Sequence, residues 1–495
     1  MPYLTAAQIE SEMTALQTSA PALCTKIALP NPTVSEGIGP TTYSYLKIAN
    51  GSGPARVAVL AVAGMHAREW AQPDSVISFA RRLLAAYLGN TAFVIPAYTD
   101  PAGSTHGPVS VPAARIRRMV DELDILLVPC ANPDGRAFTQ SVMANAGWRK
   151  NRAPRPAGGV AATVGADLNR NFDIAWDYDV FYTPAFAATT STGGLSASKD
   201  PADDRFIGRA QPAPNQTHPA NEPEVRNLIW ILDNHPVTYS IDLHSYSMLA
   251  MHSWGIEQNG NVASQNFRDP ALDGTRDGTL GTAYSEYFPN TPPTSLLNRH
   301  RLIVGSIRDN VRDATGRTYT VGGIADTIYP ATGSFTDFHF SRQFRIAGSP
   351  PIHAFAMEFG DAADHFQPLY GDPHRFPKIE REVHATLLAL LDGAVAPAVS
   401  TGTGGGKKWC IVTIAATQLA AGNGWLQTLR DARTVLLGCD RTRAAMVTID
   451  DAYRSLSASV GPHLMERRWA QRAIAYGVVA PAAAITSAGL KWRSR

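Results

Sequence analysis

Four apolar runs with helical stretches between them constrain this chain more than any other feature. Residues 57–62, 123–129, 237–243 and 352–357 have the length and β-branched content of buried strands. Residues 74–88, 222–234, 296–311 and 379–391 carry apolar side chains at helical spacing. In the first of these, Val76, Ile77, Phe79, Ala80, Leu83, Leu84 and Tyr87 fall on one side. Strands alternating with helices of this length argue an α/β domain with a mostly parallel sheet. In such sheets ligands gather beyond the carboxyl ends of the strands. Three of the runs deliver a reactive side chain there: His66 just after the first, His244 at the end of the third, Glu358 at the end of the fourth.

His66-Ala67-Arg68-Glu69-Trp70 is the most chemical of these strand ends. A tight turn lets residues i and i+3 face one point, so His66 and Glu69 can converge. An imidazole and a carboxylate make two-thirds of a catalytic zinc site, which has three protein ligands and one open position. His244, in Ser-Ile-Asp-Leu-His-Ser-Tyr-Ser, is the candidate third ligand. Each of the three alone reads equally well as an ordinary turn or core residue. Their common placement at strand ends is what argues for one shared site.

Further motifs follow in order along the chain. Trp148-Arg149-Lys150-Asn151-Arg152 comes after the second strand, then Asp167-Leu168-Asn169-Arg170-Asn171-Phe172. Ile328-Tyr329-Pro330-Ala331-Thr332-Gly333 precedes the fourth strand, which ends in Met357-Glu358-Phe359. Taken together, the ordered set resembles the zinc metallocarboxypeptidases of the carboxypeptidase A type, over roughly residues 1–393. The resemblance implies a mixed, mostly parallel eight-stranded sheet flanked by helices. It also implies one Zn²⁺ per chain on His66, Glu69 and His244, with zinc-bound water as the nucleophile and Glu358 as general acid/base. Arg149 matches the guanidinium that polarises the scissile carbonyl. Asn169 and Arg170 match the pair that grips a peptide's free C-terminal carboxylate, a task for which the planar fork of arginine is suited. Tyr329 matches the tyrosine that closes over the bound residue, and Arg68 a subsite arginine further upstream. For Asp167, support of a zinc histidine and a salt bridge to a nearby arginine stand as equal alternatives.

Thr336 falls where the family places its main specificity residue. It predicts a neutral or apolar C-terminal side chain in the substrate. A local gap would put Phe335 or Asp337 there instead, and Asp337 would favour basic ends. The interval from Arg170 to His244 is long for the family, which an insertion at 178–221 explains. Seven extra residues around 345–351 separate Tyr329 from Glu358. No inhibitory pro-domain fits before the first strand, so no activating cleavage is expected. Two other readings stay open: a peptidase for cell-wall peptides containing D-amino acids or an amidohydrolase for acylated amino acids, and a non-catalytic peptide-binding module on the same fold.

Residues 394–408 contain Thr-Gly-Thr-Gly-Gly-Gly and read as a linker. Beyond it, 409–495 is expected to be a small basic module. Of the 44 Lys and Arg in the chain, 13 fall in 407–495, against 5 of the 42 Asp and Glu. An anionic partner and a plainly solvated basic surface both fit that imbalance. No apolar stretch is long enough to span a bilayer. Met1-Pro2-Tyr3-Leu4-Thr5 shows no signal peptide, so the expectation is a cytoplasmic protein, or one supplied without its leader. The four cysteines are too scattered for a disulfide framework; buried thiols are expected, and a reducing compartment is compatible with them.

Overall fold

In the computed structural model, the described residues are 3–395 apart from 38, 52–55, 101, 190–193, 209–220, 279–283, 291–295, 369–371 and 373. The chain divides at Pro397 and Ala398. The basic module expected at 409–495, most of the linker and part of the 178–221 insertion lie outside the described residues.

Eight strands form one sheet. They are β1 (Cys24–Ala28), β2 (Ser44–Ile48), β3 (Val57–Ala63), β4 (Leu123–Val128), β5 (Val237–Ser245), β6 (Leu249–His252), β7 (Thr320–Gly323) and β8 (His353–Phe359). Their order across the sheet is β1-β2-β4-β3-β5-β8-β6-β7. The four central strands β4, β3, β5 and β8 run parallel. The pairs β1/β2, β2/β4 and β6/β8 are antiparallel, and β6/β7 is parallel. This is the mixed, mostly parallel eight-stranded sheet that the resemblance implied. The apolar runs found the four central strands, because strands buried on both faces read as continuous hydrophobic runs. The outer four are short or half-polar and left no such run.

Eight helices matter for the site: α1 (Ala6–Ser19), α2 (Ala71–Gly89), α3 (Ala113–Glu122), α4 (Pro133–Ser141), α5 (Pro223–Asn234), α6 (Leu296–Thr315), α7 (Phe335–Arg345) and α8 (Phe376–Ala394). Their starts follow local chemistry. Thr5 and Gln8 form a capping box on α1, and Asn132 caps α4 by accepting from Gly135 N. Proline stands in the first turn of α4, α5 and α8, where its missing N–H costs nothing.

Strand alternation gives the sheet two unlike faces. Val59, Ala61, Ile125, Leu127, Ile241, Leu243, Phe355 and Met357 point to one of them. There they pack with Phe79 and Leu83 of α2 and with Val383, Leu387 and Leu390 of α8. On the other, Ala58, Leu60, Val62, Leu126, Val128 and Ala354 meet Val225, Leu228 and Ile231 of α5 and Phe335, Phe338 and Phe340 of α7. Each fully buried large side chain contributes about 1.5–3 kcal/mol. The 178–221 stretch is not featureless: Tyr178–Phe181 and Pro184–Ala187 are short helices, and Tyr178, Ala187 and the intervening Tyr182 pack with Trp176, Leu195 and Ile207. Among the described residues, no helix is long and apolar enough to cross a membrane.

Candidate active site

Strand β3 stops at Gly64, whose φ of +65° favours glycine; a Cβ there would also meet Pro73 Cγ at 3.0 Å and the Cys130 backbone at 3.3 Å. The chain then turns so that Glu69 N donates to His66 O at 3.2 Å. This turn brings His66 Nδ1 to 2.7 Å from Glu69 Oε1, the i and i+3 convergence read from the motif. Its outer wall is fixed by Asn132 Nδ2 donating to Met65 O and by Ala67 N donating to Arg149 O. His244 enters from the end of β5. Its Nδ1 lies 3.0 Å from His66 Nδ1 and 3.1 Å from Glu69 Oε2. Ligand atoms of His66, Glu69 and His244 thus lie within 4.8 Å of one another, and all three residues are buried.

Two imidazole nitrogens and a carboxylate facing one point are the donor set of a catalytic zinc site. The far side of each ring supports that reading. His66 Nε2 lies 3.3 Å from Asp167 Oδ1, and His244 Nε2 lies 2.5 Å from Asp242 Oδ2. Carboxylates behind metal-ligating histidines fix their tautomer and raise their basicity. The electrostatics agree. Burial pushes the Glu69 carboxyl up, but the two imidazoles outweigh it and hold the group well below the usual carboxylate range. Burial pushes His244 down, but Asp242 and Glu69 hold it well above its ordinary value. The anions around His244 favour positive charge at the point where zinc fits. Asp167 serves both of its alternatives at once, since Arg149 Nε donates to its other oxygen at 2.8 Å. Burial raises the Asp167 carboxyl and Arg149 and His66 lower it, leaving it well below the ordinary range.

Glu358 sits beside His244 in register across β8 and β5, half-buried. Burial pushes its carboxyl up to about 7; the charges of Glu69 and Asp242 add to the rise, while His244 and Arg149 oppose it. A carboxyl near 7 can take and return a proton near neutral pH. The strand end carrying it is pinned from the opposite face. Gly360, at φ +75°, donates to Tyr319 Oη at 3.3 Å and to Glu382 Oε2 at 3.2 Å. Tyr319 in turn donates to Glu382 at 2.8 Å, and Arg317 to its other oxygen at 2.9 Å.

The remaining residues read from sequence gather around this centre. Asp167–Arg170 is a tight turn in which Asp167 caps Asn169 N. Asn169 Nδ2 lies 3.1 Å from Asp242 Oδ2 and 3.0 Å from His244 Nε2, and its Oδ1 accepts from Phe335 N. Arg170 donates to Ser196 Oγ at 2.9 Å, and its guanidinium is 5.7 Å from the ring centre of half-buried Tyr329. Gly333 carries the chain past Arg170 so closely that a Cβ would meet Arg170 O at 2.2 Å. Arg68 stacks 4.2 Å over the Phe366 ring and reaches Asp204 at 3.2 Å. Thr336 is buried, its hydroxyl donating to Phe355 O at 3.4 Å. Asp337 accepts from the backbone N–H groups of Gly255 and Ile256, and Phe335 stacks on His339. His252 and His353 pack with His300 and take no part in the zinc ligand set.

Sequence reading missed Asp242, Phe366 and Ser196. Only Asp242 left a signal: in a strand, residue i−2 shares a face with residue i, so the Asp of Asp-Leu-His stands beside the histidine. Phe366 and Ser196 lie in loops and meet Arg68 and Arg170 only through the tertiary fold.

Comparison with known proteins agrees with this geometry. The profile of the family described as zinc carboxypeptidase matches residues 9–383. Mouse (Mus musculus) carboxypeptidase A4 is 26% identical over 340 residues, 68% of this chain and 60% of that protein. Mouse carboxypeptidase A2 is 29% identical over 360 residues, 72% of this chain and 63% of that protein. The chain thus spans about three-fifths of the length of these curated relatives. In fold, bovine thrombin-activatable fibrinolysis inhibitor, solved with a tick carboxypeptidase inhibitor, has a TM-score of 0.52 at 18% identity. That match covers 80% of this chain and 98% of the other. Carboxypeptidase A from Helicoverpa armigera gives a TM-score of 0.50 at 19% identity, covering 80% and 74%. With the profile covering most of the chain and the ligand set assembled as described, this protein belongs to the zinc carboxypeptidase family.

Proposed function

We propose that this protein is a zinc-dependent carboxypeptidase that removes single residues from the free C-terminus of peptides. The observation that carries the reading is the convergence of His66, Glu69 and His244 beside Glu358. When bound, zinc supplies Lewis acidity for the scissile carbonyl and acidifies a water molecule enough to attack near neutral pH. The chain's own groups do the rest. Glu358 takes a proton at its carboxylate and returns it to the leaving amine. Arg149, held in place by Asp167, presents its guanidinium to the oxyanion that develops. Arg170 and Asn169 bind the terminal carboxylate, with Arg170 leaving Ser196 for a bidentate, charge-assisted pair. Tyr329, beside Arg170, closes over the bound residue and excludes water. Arg68 and Phe366 form the upstream wall.

A short peptide with a free C-terminus tests the reading. Chelation should abolish release of its last residue, and added zinc should restore it. Amidation of the same peptide's C-terminus should abolish release while zinc content stays unchanged. Equal cleavage of free and amidated peptides would make the enzyme an endopeptidase. Hydrolysis of muropeptides alone would favour the cell-wall reading. Zinc binding without turnover on either class would favour a binding module.

A further inference from the structure

The register of the sheet continues one row below the catalytic groups. His244 stands beside Glu358, and Glu358 beside Leu249. Two residues back along β5 and β8, and two forward along antiparallel β6, Asp242 stands beside Ala356 and Ala356 beside Met251 on the same face. Leu249, Met251 and Ala356 form with Ile324 an apolar cluster separate from the two large cores, with Ile328 packed against it. Tyr329 follows Ile328 directly. If Tyr329 and Arg170 hold the terminal carboxylate, as the carboxypeptidase reading has it, this cluster is the surface the C-terminal side chain meets.

The polar groups beside that surface are mostly spent. The Thr336 hydroxyl is bonded to Phe355 O, and both Asp337 oxygens accept from Gly255 and Ile256. Asp242 differs. Its Oδ2 faces His244 Nε2 at 2.5 Å and Asn169 Nδ2 at 3.1 Å. Its Oδ1, in a residue with 0% exposure, has no hydrogen-bond partner among the described residues. A buried carboxylate oxygen without a donor is costly, and each such group calls for an explanation.

We propose that Asp242 is the specificity residue of the pocket for the C-terminal side chain. Its unused Oδ1 selects residues that bring a hydrogen-bond donor, lysine and arginine above all. A cation gains most from that oxygen, because charge-assisted bonds are the strong ones. Met251, Ile324 and Ile328 suit the methylenes of such a side chain. The acid that sets a basic preference is then Asp242 on β5, rather than a residue at 335–337.

The inference rests on the carboxypeptidase reading, and its test separates the two. N-blocked dipeptides ending in lysine and in norleucine share a four-carbon side chain, which only lysine extends with an ammonium group. The zinc-loaded wild type is expected to show kcat/KM at least tenfold higher for lysine. Asp242→Asn, with zinc content measured alongside, is expected to bring that ratio to about one. Loss of support for His244 alone would slow both substrates equally and leave the ratio unchanged. A wild type that prefers norleucine or treats the pair alike overturns the inference while leaving the carboxypeptidase intact, and needs no variant to fold. An unchanged ratio in Asp242→Asn overturns it as well. Absence of hydrolysis on both dipeptides and on every other free C-terminus overturns both readings.

Discussion

The two faces of the central sheet use the same strands for opposite purposes. Along β5, Tyr239, Ile241 and Leu243 point into a continuous apolar core. Ser240, Asp242 and His244, the residues between them, point the other way and are equally buried. Along β8, Phe355, Met357 and Phe359 alternate with Ala354, Ala356 and Glu358 in the same manner. The apolar face carries stability with few polar groups to satisfy. The other face carries buried carboxylates and imidazoles held by one another, an arrangement that is costly unless every group is paired. A parallel sheet accommodates both because the period of two separates the functions residue by residue.

The sharpest way to break this comparison is a change at Glu358. Glu358→Gln keeps shape and removes the proton carrier. A fall in kcat of about 10²–10⁴-fold is expected, with zinc content and Tm close to wild type. A large drop in Tm would show that the catalytic carboxylate itself also carries stability. The mirror experiment is Ile241→Ala, on the same strand as Asp242 and His244 but on the opposite face. It should cost about 2–5 kcal/mol in denaturant unfolding, with kcat of the folded fraction nearly unchanged.

The cost of polar burial on the site face is measurable at Glu224. Burial, reinforced by the charge of Glu222, pushes its carboxyl up to about 8 from an ordinary 4.5. Asn151 is its side-chain hydrogen-bond partner. With the folded value above the unfolded one, the native state holds the proton more tightly. The group's contribution to stability is complete below pH 4.5 and is lost as pH rises through 8. Glu224→Gln should therefore flatten the decline, gaining on the order of 2 kcal/mol over wild type between pH 6 and pH 9 in chemical unfolding. A parallel decline in both proteins would place the charged group in water. The smallest effect is expected where the faces communicate. Tyr319→Phe removes one donor from Glu382 and one acceptor from Gly360, two residues past Glu358. About 1 kcal/mol of stability should be lost. A several-fold fall in kcat at unchanged KM would show that the apolar side positions the catalytic carboxylate, and an unchanged kcat would show the faces to be independent.

Legibility in the sequence follows the same division. The central strands were readable because burial on both sides makes them continuous apolar runs. Strands β6 and β7, only four residues each, left no such signal. His66 and Glu69 were readable because one turn joins them, and the spacing alone predicts their contact. Asn169, Arg170 and Tyr329 could be named through the ordered motifs. Their partners could not: Ser196 for Arg170 and Phe366 for Arg68 come from loops whose positions no periodicity encodes. Thr336 and Asp337 show the limit most clearly. Their place in the chain was plain, but the pairing of one with Phe355 and of the other with Gly255 and Ile256 depends on how α7 lies against β5 and β8.

What the sequence determined by itself is local: strand and helix periods, the turn that joins His66 to Glu69, and the residue types that zinc and peptide chemistry require. The tertiary structure decided what touches what across distance. It set His244 Nδ1 against a histidine 178 residues away, placed a carboxylate behind each imidazole, and left one oxygen of Asp242 without a donor. The physical reason is that backbone preference acts over a few residues. Hydrogen-bond satisfaction in a buried site is settled only when all its contributors have been packed together.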